Sequence, residues 1–168
     1  MKDKKSIVIY FSRADENYFD GDMKYIDKGN TEITAEYIGD LTGADLFKVQ
    51  PLKPYPKEYM KCIEEAKVRM REHNAPIKEP IPDISSYDVI YIGSPIYWGG
   101  MPEELFTALK GINFEGKIIR PFTTHEGSGL SGVPDQLKEI CEGANVKDGL
   151  AIEGSQVNNA KNMVEKWI

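Results

Sequence analysis

Short unbroken apolar runs alternate along this chain with longer stretches in which apolar residues recur every three or four positions. Ile7-Val8-Ile9-Tyr10-Phe11 is continuous, β-branched and aromatic, the pattern of a strand covered on both faces. Val89-Ile90-Tyr91-Ile92, ending at Gly93, and Lys117 to Phe122, ending in a polar glycine-rich segment, have the same character. Between them Tyr59, Cys62, Ile63, Ala66 and Met70 recur at helical spacing among Lys57, Glu58, Glu64, Glu65, Lys67 and Arg71, which predicts an amphipathic helix of several turns. An earlier helix with Ile33, Ile38 and Leu41 starts at Gly29-Asn30-Thr31. A shorter one starts at Pro102 and buries Leu105, Phe106 and Leu109. Another carries Leu137, Ile140 and Cys141, and the last carries Val157, Ala160, Val164 and Trp167. Ala44 to Val49 alternates weakly, as an edge strand does, and a fifth strand falls within Val146 to Ile152.

Strands that alternate with helices need crossover connections, which give a mostly parallel sheet with helices on both faces. The expected class is therefore α/β, doubly wound. The 168 residues suffice for one full-sized core and not for two, and the Pro-rich stretch from Pro76 to Pro82 reads as a connection, so residues 1–168 form one domain. In such a sheet ligands bind at the carboxyl ends of the strands. The loops after Phe11, Gly93 and Phe122 are the places where chemistry is expected.

Charge changes the picture by exclusion. Lys and Arg total 21 against 27 Asp and Glu, a formal net charge of −6, which argues against nucleic acid and leaves room for a basic partner protein. The apolar runs have strand length, so no membrane span is expected. The start with Lys2, Lys4 and Lys5 leads into a run too short for a signal-peptide core, and the expected location is the cytoplasm. Cys62 and Cys141 lie far apart without CxxC spacing and read as small buried groups.

The first loop holds Ser12-Arg13-Ala14 and, after an interval, Gly29-Asn30-Thr31 at a helix start. Hydroxyls and glycine there present N–H groups to one point, and the helix dipole adds positive potential, a geometry that binds phosphate without lysine. Simple capping by Asn30 or Thr31 explains the same residues equally well. The second loop, Gly93-Ser94-Pro95-Ile96-Tyr97-Trp98-Gly99-Gly100-Met101-Pro102, puts two aromatics at a strand end. Beside a phosphate loop, stacking on a planar ligand explains them better than core packing, and the glycines let backbone come close or change φ. The third loop, Thr123-Thr124-His125-Glu126-Gly127-Ser128-Gly129, is too glycine-rich for helix or strand and can lay successive donors along a heteroaromatic edge. His125 and Glu126 are alternatively solvated loop groups.

Tyr10-Phe11-Ser12-Arg13, Gly29-Asn30-Thr31, Gly93 to Trp98 and Thr124 to Ser128 together resemble the flavodoxin-like family, over essentially the whole chain. The resemblance is to the short-chain type with an insert in the phosphate loop. It implies a five-stranded parallel sheet in the order 2-1-3-4-5, helices on both faces, and FMN at the switch point between the first and third strands. It further implies that Ser12, Arg13, Asn30 and Thr31 hold the FMN phosphate. Ser94, Pro95, Ile96, Tyr97, Trp98 and Gly99, with Thr124, His125, Glu126, Gly127 and Ser128, would flank the isoalloxazine ring. No side chain would be catalytic and no metal is implied, because the flavin carries the electrons.

Two departures stand out. The 14 residues from Asp15 to Lys28 sit inside the phosphate loop and must loop out so that Ser12 and Asn30 converge. The third loop has no aromatic between Thr123 and Gly132, so ring stacking falls to Trp98 or Tyr97, with one flavin face open. A flavodoxin-type electron carrier, meeting redox proteins at the flavin edge, is the first expectation. An FMN-dependent NAD(P)H:quinone or flavin reductase is the alternative. A phosphoacceptor domain needs an aspartate where the chain has Gly93-Ser94-Pro95, and a tyrosine-phosphatase loop needs an arginine six residues after its cysteine, where Cys62 is followed by Val68. The insert carries Asp15, Glu16, Asp20, Asp22 and Asp27 against Lys24 and Lys28. With Glu103, Glu104 and Glu126 near the other loops, these acids are expected to attract a basic partner.

Overall fold

The computed structural model describes residues 4–19 and 21–168; Lys2 of the basic start and Asp20 of the insert lie outside the described residues. In chain order the elements are β1 (Ser6–Tyr10), β2 (Asp15–Phe19), β3 (Asp22–Ile26), α1 (Asn30–Thr42), β4 (Asp45–Lys48), α2 (Tyr59–Glu72), β5 (Val89–Pro95), α3 (Glu103–Leu109), β6 (Ile118–His125), α4 (Val133–Ile140), β7 (Asn145–Val146), β8 (Leu150–Glu153) and α5 (Lys161–Trp167). The main sheet is parallel throughout, in the order β4-β1-β5-β6-β7, with β8 also paired to β6.

Strand alternation divides the interior into two cores. Ile7, Ile9, Phe11, Ile90, Ile92 and Ile119 pack with Cys62 and Ala66 of α2, Leu105 and Leu109 of α3, and Leu137 of α4. Val8, Tyr10, Tyr91, Phe122 and Ile152 pack with Ala35 and Ile38 of α1 and Val164 of α5. Because both faces are covered, the central strands read as continuous apolar runs.

Counted within this sheet, the order is 2-1-3-4-5, with the fifth position divided between two short segments. β7 pairs the start of β6 at Ile118↔Asn145, and β8 pairs its end at Phe122↔Leu150. The interruption falls at Pro121, which has no N–H for the ladder. Two further expectations are corrected. The last helix is broken: a 3₁₀ segment, Gly154–Asn159, rich in weak helix formers, precedes α5. Thr123 to His125 extend β6 and do not belong to a loop. The insert is an antiparallel hairpin, β2 with β3, registered from Asp15↔Ile26 to Phe19↔Asp22, with Gly21 at φ +83° in its turn.

Candidate functional site

A cavity of about 390 Å³ opens at the carboxyl ends of β1, β5 and β6, within the range usual for small-molecule and cofactor sites. One wall is the start of α1. A Cβ on Gly29 would lie 2.1 Å from Ser12 Oγ and 2.8 Å from the Arg13 carbonyl oxygen, so glycine is what lets the two halves of the divided loop converge. Ser12 Oγ accepts the Glu32 N–H at 3.1 Å, a cap supplied from outside the helix. The Ile33 N–H makes the first intrahelical bond, to Gly29. The N–H groups of Asn30 and Thr31 thus stand at the positive end of a 13-residue helix. Thr31 Oγ1 and Thr124 Oγ1, both buried, share a hydrogen bond of 2.7 Å that joins the start of α1 to the end of β6.

The second loop closes in a tight turn. Tyr97 N–H donates to Gly100 O (2.7 Å) and Gly100 N–H to Tyr97 O (3.2 Å), with φ +51° at Trp98 and +85° at Gly99, a type I′ geometry. The space a Cβ on Gly100 would need belongs to Gln136, 2.3 Å away, whose Oε1 accepts the Met101 N–H. Tyr97 packs edge-on against Phe11 and Tyr55, with its hydroxyl 4.0 Å from Cys62 Sγ, and burial pushes its pKa far above the ordinary phenol value. Trp98 is 53% exposed at the rim, where Nε1 donates to Ile63 O at 2.8 Å.

Behind Tyr97 lies a buried charge network. Glu104, with no exposed surface, accepts from the Tyr55 hydroxyl (2.7 Å) and from Arg69 Nη1 (2.8 Å). Arg69 also pairs with Glu65 at 3.0 Å and stacks its guanidinium 3.9 Å from the Tyr55 ring centroid, while its buried Nη2 has no partner among the described residues. Glu104 is therefore no surface acid. Glu16 is engaged as well, since its Oε1 accepts the Tyr59 N–H at the start of α2.

The family model described as flavodoxin matches residues 23–168. The chain belongs to the flavodoxin family. Solved structures agree on the fold: a candidate flavoprotein from Bacteroides uniformis has a TM-score of 0.77 at 24% identity, over 98% of this chain and 97% of that one. A flavoprotein from Lactobacillus acidophilus, solved in complex with FMN, reaches 0.64 at 21% identity over 93% and 97%. Oxidised flavodoxin 1 from Bacillus cereus reaches 0.56 at 18% over 98% and 97%. No curated protein matches the sequence.

In this flavodoxin-family chain the structure gathers Ser12, Arg13, Asn30, Thr31, Pro95, Ile96, Tyr97, Trp98, Thr124, His125, Glu126 and Ser128 around one cavity. Ser94, Gly99 and Gly127 do not line it. Ser94 is fully buried with its hydroxyl on the Pro95 carbonyl, Gly99 O accepts from Ser131 Oγ and the Gly132 N–H, and the Gly127 N–H donates to His125 Nδ1. Arg13 lines the wall, but its Nη1 and Nη2 donate to Glu16 O, Asn17 Oδ1, Pro56 O and Lys57 O, which fasten the hairpin to the start of α2.

Sequence reasoning missed a whole wall of the cavity: Asn17, Tyr18 and Ile26 from the hairpin, and Tyr59, Cys62, Ile63 and Ala66 from α2. Tyr18 and Tyr59 meet edge-on, centroids 4.8 Å apart at 81°. Burial raises the Tyr59 pKa, with the charge of Glu126 a lesser contributor. The dipeptide Asp20-Gly21 between Tyr18-Phe19 and Asp22-Met23 is the signal in the sequence that marks a hairpin.

Proposed function

We propose that this chain binds FMN at the ends of β1, β5 and β6 and serves as an electron carrier. The observation that carries the proposal is the convergence of the α1 start, with its N–H groups and the hydroxyls of Ser12, Thr31 and Thr124, on one end of an aromatic-lined cavity. The close approach that only Gly29 permits is the cradle a phosphate needs. FMN in the Lactobacillus acidophilus structure supports this choice of flavin.

Bound FMN would supply the redox chemistry. Asn30 and Thr31 would bind its phosphate through backbone N–H groups, Tyr97 would close the inner end of the cavity, and the Tyr97 to Gly100 turn would bring backbone to the ring edge. Because His125 Nδ1 accepts the Gly127 N–H, the neutral imidazole carries its proton on Nε2, the nitrogen left to donate to a ligand.

The acids left for a basic redox partner are fewer than the sequence promised. Asp22 and Asp27 are exposed on and just after the hairpin, whereas Glu104 is buried and Glu16 caps α2. Such a partner docks here by charge attraction and then packs on the exposed Trp98. Among the described residues no helix is long and apolar enough to cross a membrane. A reductase acting on NAD(P)H and a quinone is the second reading, favoured by the hairpin side chains that line the cavity.

Reconstitution with FMN followed by an absorption spectrum tests the proposal, with bound-flavin bands expected. Their absence overturns it. Anaerobic reductive titration in two separate one-electron steps supports the carrier, and rapid consumption of NAD(P)H by the holoprotein supports the reductase.

A further inference from the structure

The two aromatics that the strand-end loops offer a flavin ring are both engaged elsewhere. Tyr97 is wedged edge-on between Phe11 and Tyr55, and Trp98 is drawn to the α2 backbone by its bond to Ile63 O. The third loop contributes no aromatic at all. The hairpin contributes one: Tyr18 lines the cavity and keeps 39% of its surface exposed.

Several contacts hold that ring in place before any ligand arrives. Tyr59 braces it edge-on, the Tyr59 N–H is tied to Glu16 of the same strand, and the Glu16 N–H donates to Lys57 O. Arg13 adds bonds to Pro56 O and Lys57 O. An aromatic fixed this way loses little freedom on binding, which is how a preorganised wall gains affinity. Tyr25, on the same hairpin and 65% exposed, is not among the residues lining the cavity.

We propose that the hairpin is part of the flavin site, with Tyr18, braced by Tyr59, stacking on the isoalloxazine ring in place of the missing third-loop aromatic. The proposal rests on the flavin reading and assigns one face of the ring to the insert. That face is then covered by the hairpin, and a reductase would have to bring its substrate to the other.

The test measures the Kd of FMN and of riboflavin for wild type, Tyr18→Ala, Tyr18→Phe and Tyr25→Ala. Loss of a heteroaromatic stack should weaken both flavins by the same factor, about tenfold, because riboflavin shares the ring and lacks the phosphate. Tyr18→Phe, which keeps the ring, and Tyr25→Ala should bind as wild type. Far-UV circular dichroism and the urea midpoint of the apoproteins check the fold, and Tyr18→Leu, with bulk but no π face, stands in if the alanine variant fails to fold. If wild type binds FMN and the ring-less variants bind riboflavin unchanged, or weaken for FMN alone, the stacking role is overturned and the flavin reading stands. If wild type binds neither flavin, both fall together.

Discussion

Replacing Glu104 with glutamine puts the buried network behind Tyr97 to a quantitative test. Glutamine keeps the shape and one oxygen for the Tyr55 hydroxyl, but turns the other position into an NH₂ group facing Arg69 Nη1, where the carboxylate now sits at 2.8 Å. The guanidinium then stays buried with Glu65 as its remaining acid at 3.0 Å, and its Nη2 is already without a partner among the described residues. Removing one member of a buried pair costs about 3–5 kcal/mol. The surviving contact to Glu65, whose side chain is 30% exposed, places the expected loss at the lower end, about 3 kcal/mol. For a domain of this size that lowers Tm by roughly 6–12 °C. Urea unfolding followed by far-UV circular dichroism should show a lower midpoint at unchanged slope. Adding Arg69→Met should recover most of the loss, since a buried pair exchanged for apolar volume is often neutral. A single variant within about 1 kcal/mol of wild type, or a double variant as damaged as the single, refutes the account.

Arg13→Met should loosen the hairpin while leaving the main sheet intact. With several charge-assisted bonds lost, each worth about 1.5–3 kcal/mol, trypsin should cut at Lys24 or Lys28 at least roughly tenfold faster. Ser12→Ala removes the cap on the Glu32 N–H and should cost the apoprotein about 1 kcal/mol in urea unfolding. Burial raises the pKa of both free thiols, so labelling at neutral pH should be slow and should quicken with pH; FMN should protect Cys62, which lines the cavity, and not Cys141. Burial pushes the Tyr10 phenol up to about 12 and raises those of Tyr55 and Tyr97. The folded chain holds these protons more tightly than the unfolded one, whose tyrosines titrate near 10. Stability is therefore full below pH 10 and falls above it by up to about 1.4 kcal/mol per pH unit for each buried phenol. The tyrosinate absorbance of Tyr10, Tyr55 and Tyr97 should rise together with loss of the far-UV signal; titration of these three near pH 10 in an intact fold would contradict this.

The parallel sheet was legible because Ile7 to Phe11 and Val89 to Ile92 are covered on both faces and so lack polar interruptions. The strand-end rule then picked out the three loops that meet around the cavity. Local pattern failed where a distant partner decides the outcome. Glu104 looks like an ordinary first-turn acid, and only Tyr55 and Arg69, brought in from α2 and the loop before it, make its burial tolerable. Arg13 looks like an anion ligand, yet Pro56 and Lys57 carbonyls take its donors. Cys62, Ile63 and Ala66 were read as core residues, because a residue lining an apolar cavity and one filling a core obey the same periodicity. The hairpin shows in the sequence only as an acidic insert that loops out, since its strands are polar and its register is set by pairing and by the turn at Gly21.

The shape of the insert matters for how such a site can change. An antiparallel hairpin delivers the chain back beside its point of departure, and here Ile26 returns opposite Asp15. The closure of the parent loop is therefore met within the added segment, and lengthening the tip by a further pair of residues costs little more. The fourteen residues behave as a graft on the first loop: tip length, charge and side chains can vary between descendants while Ser12 and Gly29 stay in register. Diversification of what approaches the cavity can then proceed on the hairpin, with the close approach of Ser12 and Gly29 left unchanged.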